Sequence, residues 1–186
     1  MSAAEVRPAT PSDAAEIARI QRLTWRAAYT DLLGAQAIDE LDAADLEGTW
    51  AETIEFPGSL VYLAAEGEFT VGYCVAGPAP EQEAAAADGS APEDADATGL
   101  IAALVVEPRW GRRGHAGRLL GTAAAALREA GLDRGIAWVA QSDHATLGFY
   151  RRTGWAPDGT VRTLDTGSGM LREVRLTGTL RLELTH

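Results

Sequence analysis

The middle of the chain reads "GLIAALVVEPRWGRRGHAGRLLGTAAAALREAG", residues 99–131. It opens with an almost unbroken apolar run ending at Pro108, which is typical of a strand buried on both faces. A turn rich in glycine and arginine follows. Apolar residues then recur at helical spacing as far as Gly131, a suitable residue for a helix C-terminus. The stretch therefore predicts a strand, a tight turn and a helix.

The turn concentrates positive charge in a chain whose formal net charge is −11. Four of the sixteen basic residues fall within ten positions, namely Arg109, Arg112, Arg113 and Arg118. The first N–H groups of a helix lack partners, the helix dipole adds partial positive charge, and glycines let an anion approach closely. The glycine spacing differs from the dinucleotide-binding fingerprint. By itself the turn is compatible with a phosphate site and with an ordinary solvated turn.

Upstream of this stretch, the pattern predicts a short strand around Val6, two helices and a hairpin. Thr10 caps the first helix. Its apolar stripe comprises Ile17, Ile20, Leu23 and Ala27. A second helix is predicted over about 40–54. Two strand-like runs, 60–65 and 69–76, are separated by a Glu-Gly-Glu turn and indicate a β-hairpin.

The remaining segments complete an α/β (α+β) pattern. Residues 136–142 predict a strand, 143–154 a short helix, and two strands follow that are joined by a turn at 166–169. Segment 79–98 has six acidic residues and no basic or aromatic ones, so it predicts a flexible surface loop, with a functional lid as the alternative. The order of elements predicts one domain over residues 1–186, with a mixed sheet of about seven strands flanked by helices.

Composition excludes several classes of protein. The chain has no lysine, which excludes a P-loop ATPase and a pyridoxal-phosphate enzyme. A pI near 4.7 argues against nucleic-acid partners. The three histidines and one cysteine lack metal-ligand spacing, and no apolar run suits a membrane helix. Because Cys74 has no intrachain disulfide partner and no signal peptide is recognisable, a cytoplasmic location is expected.

The ordered motifs together resemble the GNAT superfamily of acyl-CoA-dependent N-acyltransferases. The family's Q/R-x-x-G-x-G/A loop matches residues 111–116. Its later motif, N-x-x-A with an aromatic-Tyr pair and a closing G-F, matches 143–146, Phe149-Tyr150 and Gly154-Trp155. The resemblance covers roughly residues 4–180. Each motif is weak alone, whereas the ordered set at these separations is specific.

Three positions depart from the family pattern. Gly111 stands where the loop begins with Gln or Arg, so backbone amides and neighbouring arginines must hold the pyrophosphate. Asp143 replaces the Asn of the later motif, and Thr146 replaces its Ala. Asp143 can cap a helix but cannot donate an amide hydrogen bond.

The resemblance implies that acetyl-CoA or another acyl-CoA is the co-substrate and that no metal takes part. The implied cofactor-binding residues lie on the buried strand, on the turn with the start of its helix, and at one later helix start. They are Leu104, Val105, Val106, Gly111, Arg112, Arg113, Gly114, His115, Ala116, Gly117, Arg118 and Asp143.

The resemblance also implies direct transfer between the splayed strands 100–106 and 136–142. A primary amine attacks the thioester carbonyl, main-chain donors stabilise the oxyanion, and Tyr150 acts as general acid toward the leaving thiolate. A core tyrosine is the alternative interpretation of Tyr150. The central strand carries no carboxylate, so no general base is assigned. Proton transfer through water to Glu66, Glu68, Asp143 or His144, or arrival of a neutral amine, remains open.

The acceptor is expected to be a small-molecule or peptide amine that contacts the first helices. Trp25 and Tyr29 lie four residues apart on one helix face, where they line a substrate pocket or pack in the core. The acidic surface favours a cationic amine through electrostatic steering. The acceptor, the acyl chain length and the oligomeric state, a homodimer included, are left open.

Two other interpretations compete with an active acyltransferase. The string Asp165-Thr166-Gly167-Ser168 is found in aspartic proteases, but it is also ordinary turn composition, and a single copy would require a homodimer. The stronger competitor is a protein that binds acyl-CoA on the same fold and transfers nothing. The altered loop residue Gly111, the altered Asp143 position and the missing strand carboxylate keep it open.

Overall fold

A seven-stranded mixed sheet forms the centre of the protein in a computed structural model that describes residues 3–167 and 169–182, without the side chains of 32 and 33. The strands are β1 (Ala4–Pro8), β2 (Leu60–Glu66), β3 (Phe69–Pro78), β4 (Thr98–Val106), β5 (Arg134–Ala140), β6 (Ala156–Asp165) and β7 (Met170–Thr179). The helices are α1 (Ala14–Ala43), α2 (Leu46–Glu55), α3 (Glu81–Ala84), α4 (His115–Glu129) and α5 (His144–Arg152). The predicted α/β fold with about seven strands is confirmed.

The two central strands separate after a short parallel pairing. The strand order is β1-β2-β3-β4-β5-β7-β6, and every neighbouring pair except β4–β5 is antiparallel. Pairing between β4 and β5 covers only Thr98–Ile101 against Arg134–Ala137. Beyond Ile101, β4 stays paired with β3 alone. The chain therefore opens a V-shaped gap in the middle of the sheet, with unladdered β4 backbone along one side.

A β-bulge marks the point where the gap begins. Val75 pairs with Ala103 and Ala76 pairs with Ile101, so Ala102 is the extra residue on β4. Bulges bend a strand and increase its local twist, and they are frequent beside active sites. The bulge therefore accounts for β4 turning away from β5 at this residue.

The helices cover the two faces of the sheet. On one face, Ile17 and Ile20 of α1 pack with Val61, Leu63 and Tyr73 of the sheet. On the other face, the apolar side of α4 and the buried residues of α5 join the larger core. The alternation of buried side chains along β2 and β3 supplies both cores from the same strands.

The apolar stripe predicted for α1 is wrong in its second half. Leu23 is 40% exposed and Ala27 is also exposed. Successive residues of a helix are 100° apart, and on this helix the buried face is centred on Ala14, Ile17 and Ala18. Leu23 and Ala27 lie outside that face. The predicted set of apolar residues therefore lies along one edge of the buried face rather than at its centre.

The first two helices are also divided differently from the prediction. α1 runs to Ala43, with Gly34 in a left-handed conformation (φ 77°) that interrupts the helical backbone. Asp45 then caps α2 by accepting a hydrogen bond from the Gly48 amide at 2.9 Å. The single helix predicted over about 40–54 therefore spans the end of α1, a cap and α2. Asp45 was the missed boundary signal, because Asp is a preferred N-cap residue.

The acidic segment is attached to the sheet at several points. Its first part forms α3, and the buried Arg175 donates hydrogen bonds to the carbonyls of Glu83 (2.9 Å) and Ala85 (2.6 Å). Near its other end, Asp94 pairs with Arg134 at 2.9 Å. These contacts hold both ends of the segment against the β5–β7 side of the sheet. The flexibility predicted for 79–98 stays a prediction.

Candidate active site

A cleft of about 530 Å³ lies over the gap between β4 and β5. It is bounded by α1 and α2 on one side and by β4, β5, β7 and α5 on the other. Seven of the candidate site residues named from the sequence line it, namely Trp25, Tyr29, Leu104, Val105, Val106, Asp143 and Tyr150. The strand residues, the helix cap, the candidate general acid and the two α1 aromatics therefore meet in one place.

The glycine-rich turn forms an open row of main-chain donors at the start of α4. Gly114 is the N-cap residue in a left-handed conformation (φ 83°), and Arg112 is also left-handed (φ 62°). Over the described residues, no acceptor pairs with the amides of 112–117, and the first helical bond into the turn runs from the Arg118 amide to the Gly114 carbonyl (3.1 Å). We call residues 111–118 the cradle. Its unpaired amides and the positive end of the α4 dipole suit a phosphate group.

The four arginines of this region fall into two classes. Arg109 forms an ion pair with the buried Glu107, and Arg113 forms one with Glu66 at 3.2 Å. Arg118 reaches back to donate a hydrogen bond to the Arg113 carbonyl (3.0 Å), and its Nη1 atom lies 3.2 Å from the position that a Cβ on Gly114 would take. Arg112 is exposed and forms no ion pair in the part of the chain that the structure describes. Arg112 and Arg118 therefore retain uncompensated positive charge.

His115 is anchored to the β2–β3 hairpin and directs its side chain away from solvent. The side chain is 1% exposed, and its Nε2 atom lies 2.9 Å from Oε2 of Glu66. Glu66 is consequently held by His115 and Arg113 beside the cradle and does not line the cleft. Among the carboxylates considered as proton acceptors, this one is placed to support the turn. His115 offers the cradle its main-chain N–H.

Tyr150 lies at the base of the cleft with a fixed orientation. It is 2% exposed, and its ring stacks on Trp155 with the centroids 5.2 Å apart. Trp155 fills a slot against Gly135 and Gly178, where any Cβ would collide with the indole ring. Burial, together with the neighbouring Cys74, raises the pKa of Tyr150 well above its ordinary value. The phenol therefore stays protonated at neutral pH.

Cys74 is a buried thiol in the same core. Burial raises its pKa to about 12, so the thiolate is not populated at neutral pH. A neutral buried thiol is a poor nucleophile, and Cys74 is absent from the cleft lining. The site therefore favours attack by an external nucleophile over an acyl-cysteine intermediate.

Asp143 serves as the N-cap of α5. Its two carboxylate oxygens accept hydrogen bonds from the Thr146 amide (3.0 Å) and the Thr146 hydroxyl (2.7 Å). The same contacts explain why a Thr at position 146 is compatible with an Asp at 143. His144 and Glu68 are exposed and lie outside the cleft. These placements leave Asp143 as a structural cap in the cleft wall.

Four aromatic or acidic residues of the cleft carried no signal in the sequence. They come from α2, β3, β5 and β7 and are Trp50, Tyr73, Trp138 and Glu173. Trp50 packs edge-on against Tyr73, with the centroids 5.1 Å apart. Nothing in the local sequence distinguishes an aromatic residue that lines a cleft from one in a core. Only the strand register and the gap reveal the difference.

The described part of the Asp-Thr-Gly-Ser string begins at Asp165, the last residue of β6, and continues through Thr166 and Gly167. Asp165 is exposed, and its carboxylate accepts a hydrogen bond from the Gly167 amide at 2.8 Å. This is the local bonding of an ordinary Asx-type turn. Ser168 lies outside the described residues.

Neither a membrane-length apolar helix nor a metal-binding group of three or more His, Cys, Asp or Glu side chains occurs in the described residues.

The chain belongs to the acetyltransferase (GNAT) family, which matches residues 16–155. It is an acyltransferase, and the family suggested by the ordered motifs is confirmed. No curated protein matches the chain in sequence.

Solved structures show the same fold at low sequence identity. PaiA N-acetyltransferase from Thermoplasma acidophilum, in complex with coenzyme A, is 14% identical with a TM-score of 0.70, covering 95% of this chain and 99% of its own. An N-acetyltransferase from Staphylococcus aureus Mu50 is 18% identical with a TM-score of 0.69, covering 97% and 100%. YncA from Salmonella typhimurium, with its cofactor acetyl-CoA, is 15% identical with a TM-score of 0.68, covering 98% and 97%.

Proposed function

We propose that the protein is an N-acetyltransferase that transfers an acetyl group, or another acyl group, from acyl-CoA to a primary amine by direct attack. One observation carries the proposal. The gap between β4 and β5 opens toward the end of β4, from which the chain continues into the row of unpaired amides, and it lies beneath an aromatic cleft that contains Tyr150. The complexes of PaiA with coenzyme A and of YncA with acetyl-CoA support the choice of co-substrate.

The cradle residues fit a pyrophosphate. Amides of residues 112–117 supply main-chain donors, and Arg112 and Arg118 supply charge. Because the donors are main-chain atoms, Gly111 in place of a Gln or Arg does not remove them. The left-handed Gly114 adds no side chain of its own beside the Arg118 guanidinium. Residues Leu104, Val105 and Val106 are proposed to bind the pantetheine arm and the acyl group through the β4 edge that faces the gap.

The bound thioester supplies an electrophilic carbonyl and a thiol leaving group. The chain's own part is to orient the two reactants, so that the amine lies close to the carbonyl, and to exclude water. Main-chain groups on the unladdered edge of β4 are the donors proposed for the oxyanion. Tyr150 keeps its proton at neutral pH and is the proposed donor to the leaving sulfur. Residues 98–106 contain no carboxylate, so no proton acceptor is assigned on β4.

The test is an assay of acyl transfer. Release of free thiol from acetyl-CoA is measured with each member of a panel of primary amines. Mass spectrometry of the amine should show one added acetyl group. Coenzyme A affinity, measured separately by calorimetry, shows whether the cofactor binds, and consumption of acetyl-CoA then separates the two candidate functions. Binding without consumption of acetyl-CoA in any amine would support the alternative, an inactive acyl-CoA-binding protein on the same fold.

The described residues are proposed to act as one acetyltransferase domain. We also propose a cytoplasmic location, on the ground that the single cysteine, Cys74, is a free and buried thiol. A small-molecule or peptide amine remains the proposed class of acceptor.

A further inference from the structure

We infer that the acceptor is a primary ammonium compound with an apolar, ring-sized body and no carboxylate, and that Glu173 binds its cationic head. The inference concerns binding in the cleft, and it rests on the proposed function only for the statement that the bound amine is acetylated. It names a specificity-determining residue that lies far in sequence from every motif.

The cleft has an unusual lining for a protein so rich in arginine. Six of the chain's nine tryptophans and tyrosines line it. They are Trp25, Tyr29, Trp50, Tyr73, Trp138 and Tyr150. Asp143 and Glu173 are the charged residues that line it within the described ranges, and none of the sixteen arginines does so. Aromatic faces and carboxylates both attract an organic ammonium ion, and both disfavour an anion.

Of the two carboxylates, Glu173 is the one with a free acceptor atom. Both oxygens of Asp143 accept hydrogen bonds from Thr146 at the start of α5. Glu173 accepts a bond from Arg162 through Oε2 (2.6 Å), while Oε1 has no hydrogen-bond partner over the residues that the structure describes. The side chain of Glu173 is 14% exposed, so a charge there is only weakly screened by water.

The positive charge of Arg162 does not cancel this carboxylate. Its guanidinium is shared between Glu173 and Glu83, at 2.6 Å and 3.1 Å, and it stacks on the Trp138 ring at 4.2 Å. One cation between two carboxylates leaves the group with a net negative charge. Burial raises the pKa of Tyr29, and the charges of Asp143 and Glu173 raise it further, as expected if a negative potential extends to the α1 wall.

The size and chemistry of the cleft define the acceptor more closely. A volume of about 530 Å³ lies within the range of small-ligand pockets. The edge-on pair of Trp25 and Tyr29, 5.1 Å apart, offers an apolar surface for a ring or a short alkyl chain. An amino acid would place its own carboxylate in a cleft whose lining has two carboxylates and no arginine, since Arg162 is held behind it by Glu173 and Glu83. Amines without a carboxylate are therefore favoured.

The experiment is a calorimetric titration of three matched ligands into the protein with excess coenzyme A present. The ligands are phenethylamine, phenylalanine and 3-phenylpropionate, which share a ring and differ in charge. We expect phenethylamine to bind, phenylalanine to bind about tenfold more weakly or worse, and phenylpropionate not to bind. Glu173→Gln should weaken phenethylamine by about tenfold. Glu129→Gln, on the exposed end of α4, is the matched control and should change nothing.

The ligand series needs no variant, so the test survives even if Glu173→Gln disturbs Arg162. Absence of phenethylamine binding, equal binding of phenylalanine, or an unchanged affinity in a folded Glu173→Gln protein would each overturn the inference. The expected binding pattern without acetylation would leave the inference standing while the proposed transfer fails. Acetylation of amino acids as readily as of phenethylamine would leave the transfer standing and overturn the inference.

Discussion

The cradle and the cleft solve two binding problems in opposite ways. The cradle is made by eight consecutive residues, 111–118, and its donors are main-chain amides of a turn and a helix start. The cleft collects side chains from α1, α2, α5 and four strands, and its character depends on which side chains these are. The part that is proposed to hold the co-substrate is local and relies mainly on main-chain atoms. The part that selects the acceptor is assembled over long distances and depends on residue identity.

Because of this difference, we expect substitutions in the cradle to change the affinity for coenzyme A. Substitutions in the cleft should instead change the turnover rate or the affinity for the acceptor. The largest effect is expected for Tyr150→Phe. Loss of the proton donor should lower kcat by about 10²- to 10³-fold, with the coenzyme A affinity unchanged because the ring and its stacking on Trp155 remain. Steady-state kinetics with a fixed amine and calorimetry with coenzyme A provide the two readouts. An unchanged kcat would show that Tyr150 is only a core residue.

At the cradle, Gly114→Glu should weaken coenzyme A binding by about 100-fold. A side chain at φ 83° is strained, its Cβ crowds the Arg118 guanidinium, and its negative charge repels a phosphate from the positive end of the helix dipole. Gly121→Glu is the matched control, since it adds the same charge further along α4, where a Cβ meets no atom within 4 Å. Calorimetry on both variants checks this. Equal losses in the two variants would mean that charge on α4, rather than the shape of the turn, determines the binding.

A smaller effect on coenzyme A affinity should distinguish the two classes of arginine. Arg112→Gln and Arg118→Gln are each expected to weaken coenzyme A about fivefold and to reduce its salt dependence. Arg109→Gln should have little effect, because Arg109 is already paired with Glu107. Affinities measured across a salt series compare the three. A loss for Arg109→Gln as large as for Arg112→Gln would contradict the division into paired and uncompensated arginines.

Substitutions of Asp143 are expected to have the smallest effect. They test whether this residue of the cleft wall also contacts coenzyme A. As a helix cap, Asp143→Ala should lower the free energy of unfolding by about 1 kcal/mol, while Asp143→Asn should nearly preserve it. Thermal or denaturant unfolding measures both. If Asp143→Asn instead tightens coenzyme A binding by about tenfold, the residue is a direct cofactor contact and the capping account is incomplete.

The same difference explains how far the sequence could predict the structure. The strand before the cradle, the turn, α4 and the placement of Tyr150 on α5 follow from local periodicity and motif spacing, and all of them are found in the structure. Leu23 was assigned to the wrong face because apolar spacing locates a stripe but not its centre.

The cleft could be predicted only in part. Trp25 and Tyr29 were found from their spacing on one helix face. Trp138 and Glu173 were missed because their positions depend on the register of β5 and β7, in which Ala140 pairs with Glu173. A register between strands thirty residues apart leaves no local pattern in the sequence. The gap itself depends on the bulge at Ala102, which an apolar run does not reveal.

The central claim is that the main-chain amides of residues 112–117 hold the pyrophosphate of coenzyme A. Amide hydrogen exchange with and without coenzyme A measures this directly, because these amides have no acceptor of their own in the described structure. We expect strong protection confined to the cradle and to the β4 edge at residues 102–106. Saturation with coenzyme A that leaves 112–117 unprotected would contradict it, as would the absence of any protection at millimolar ligand.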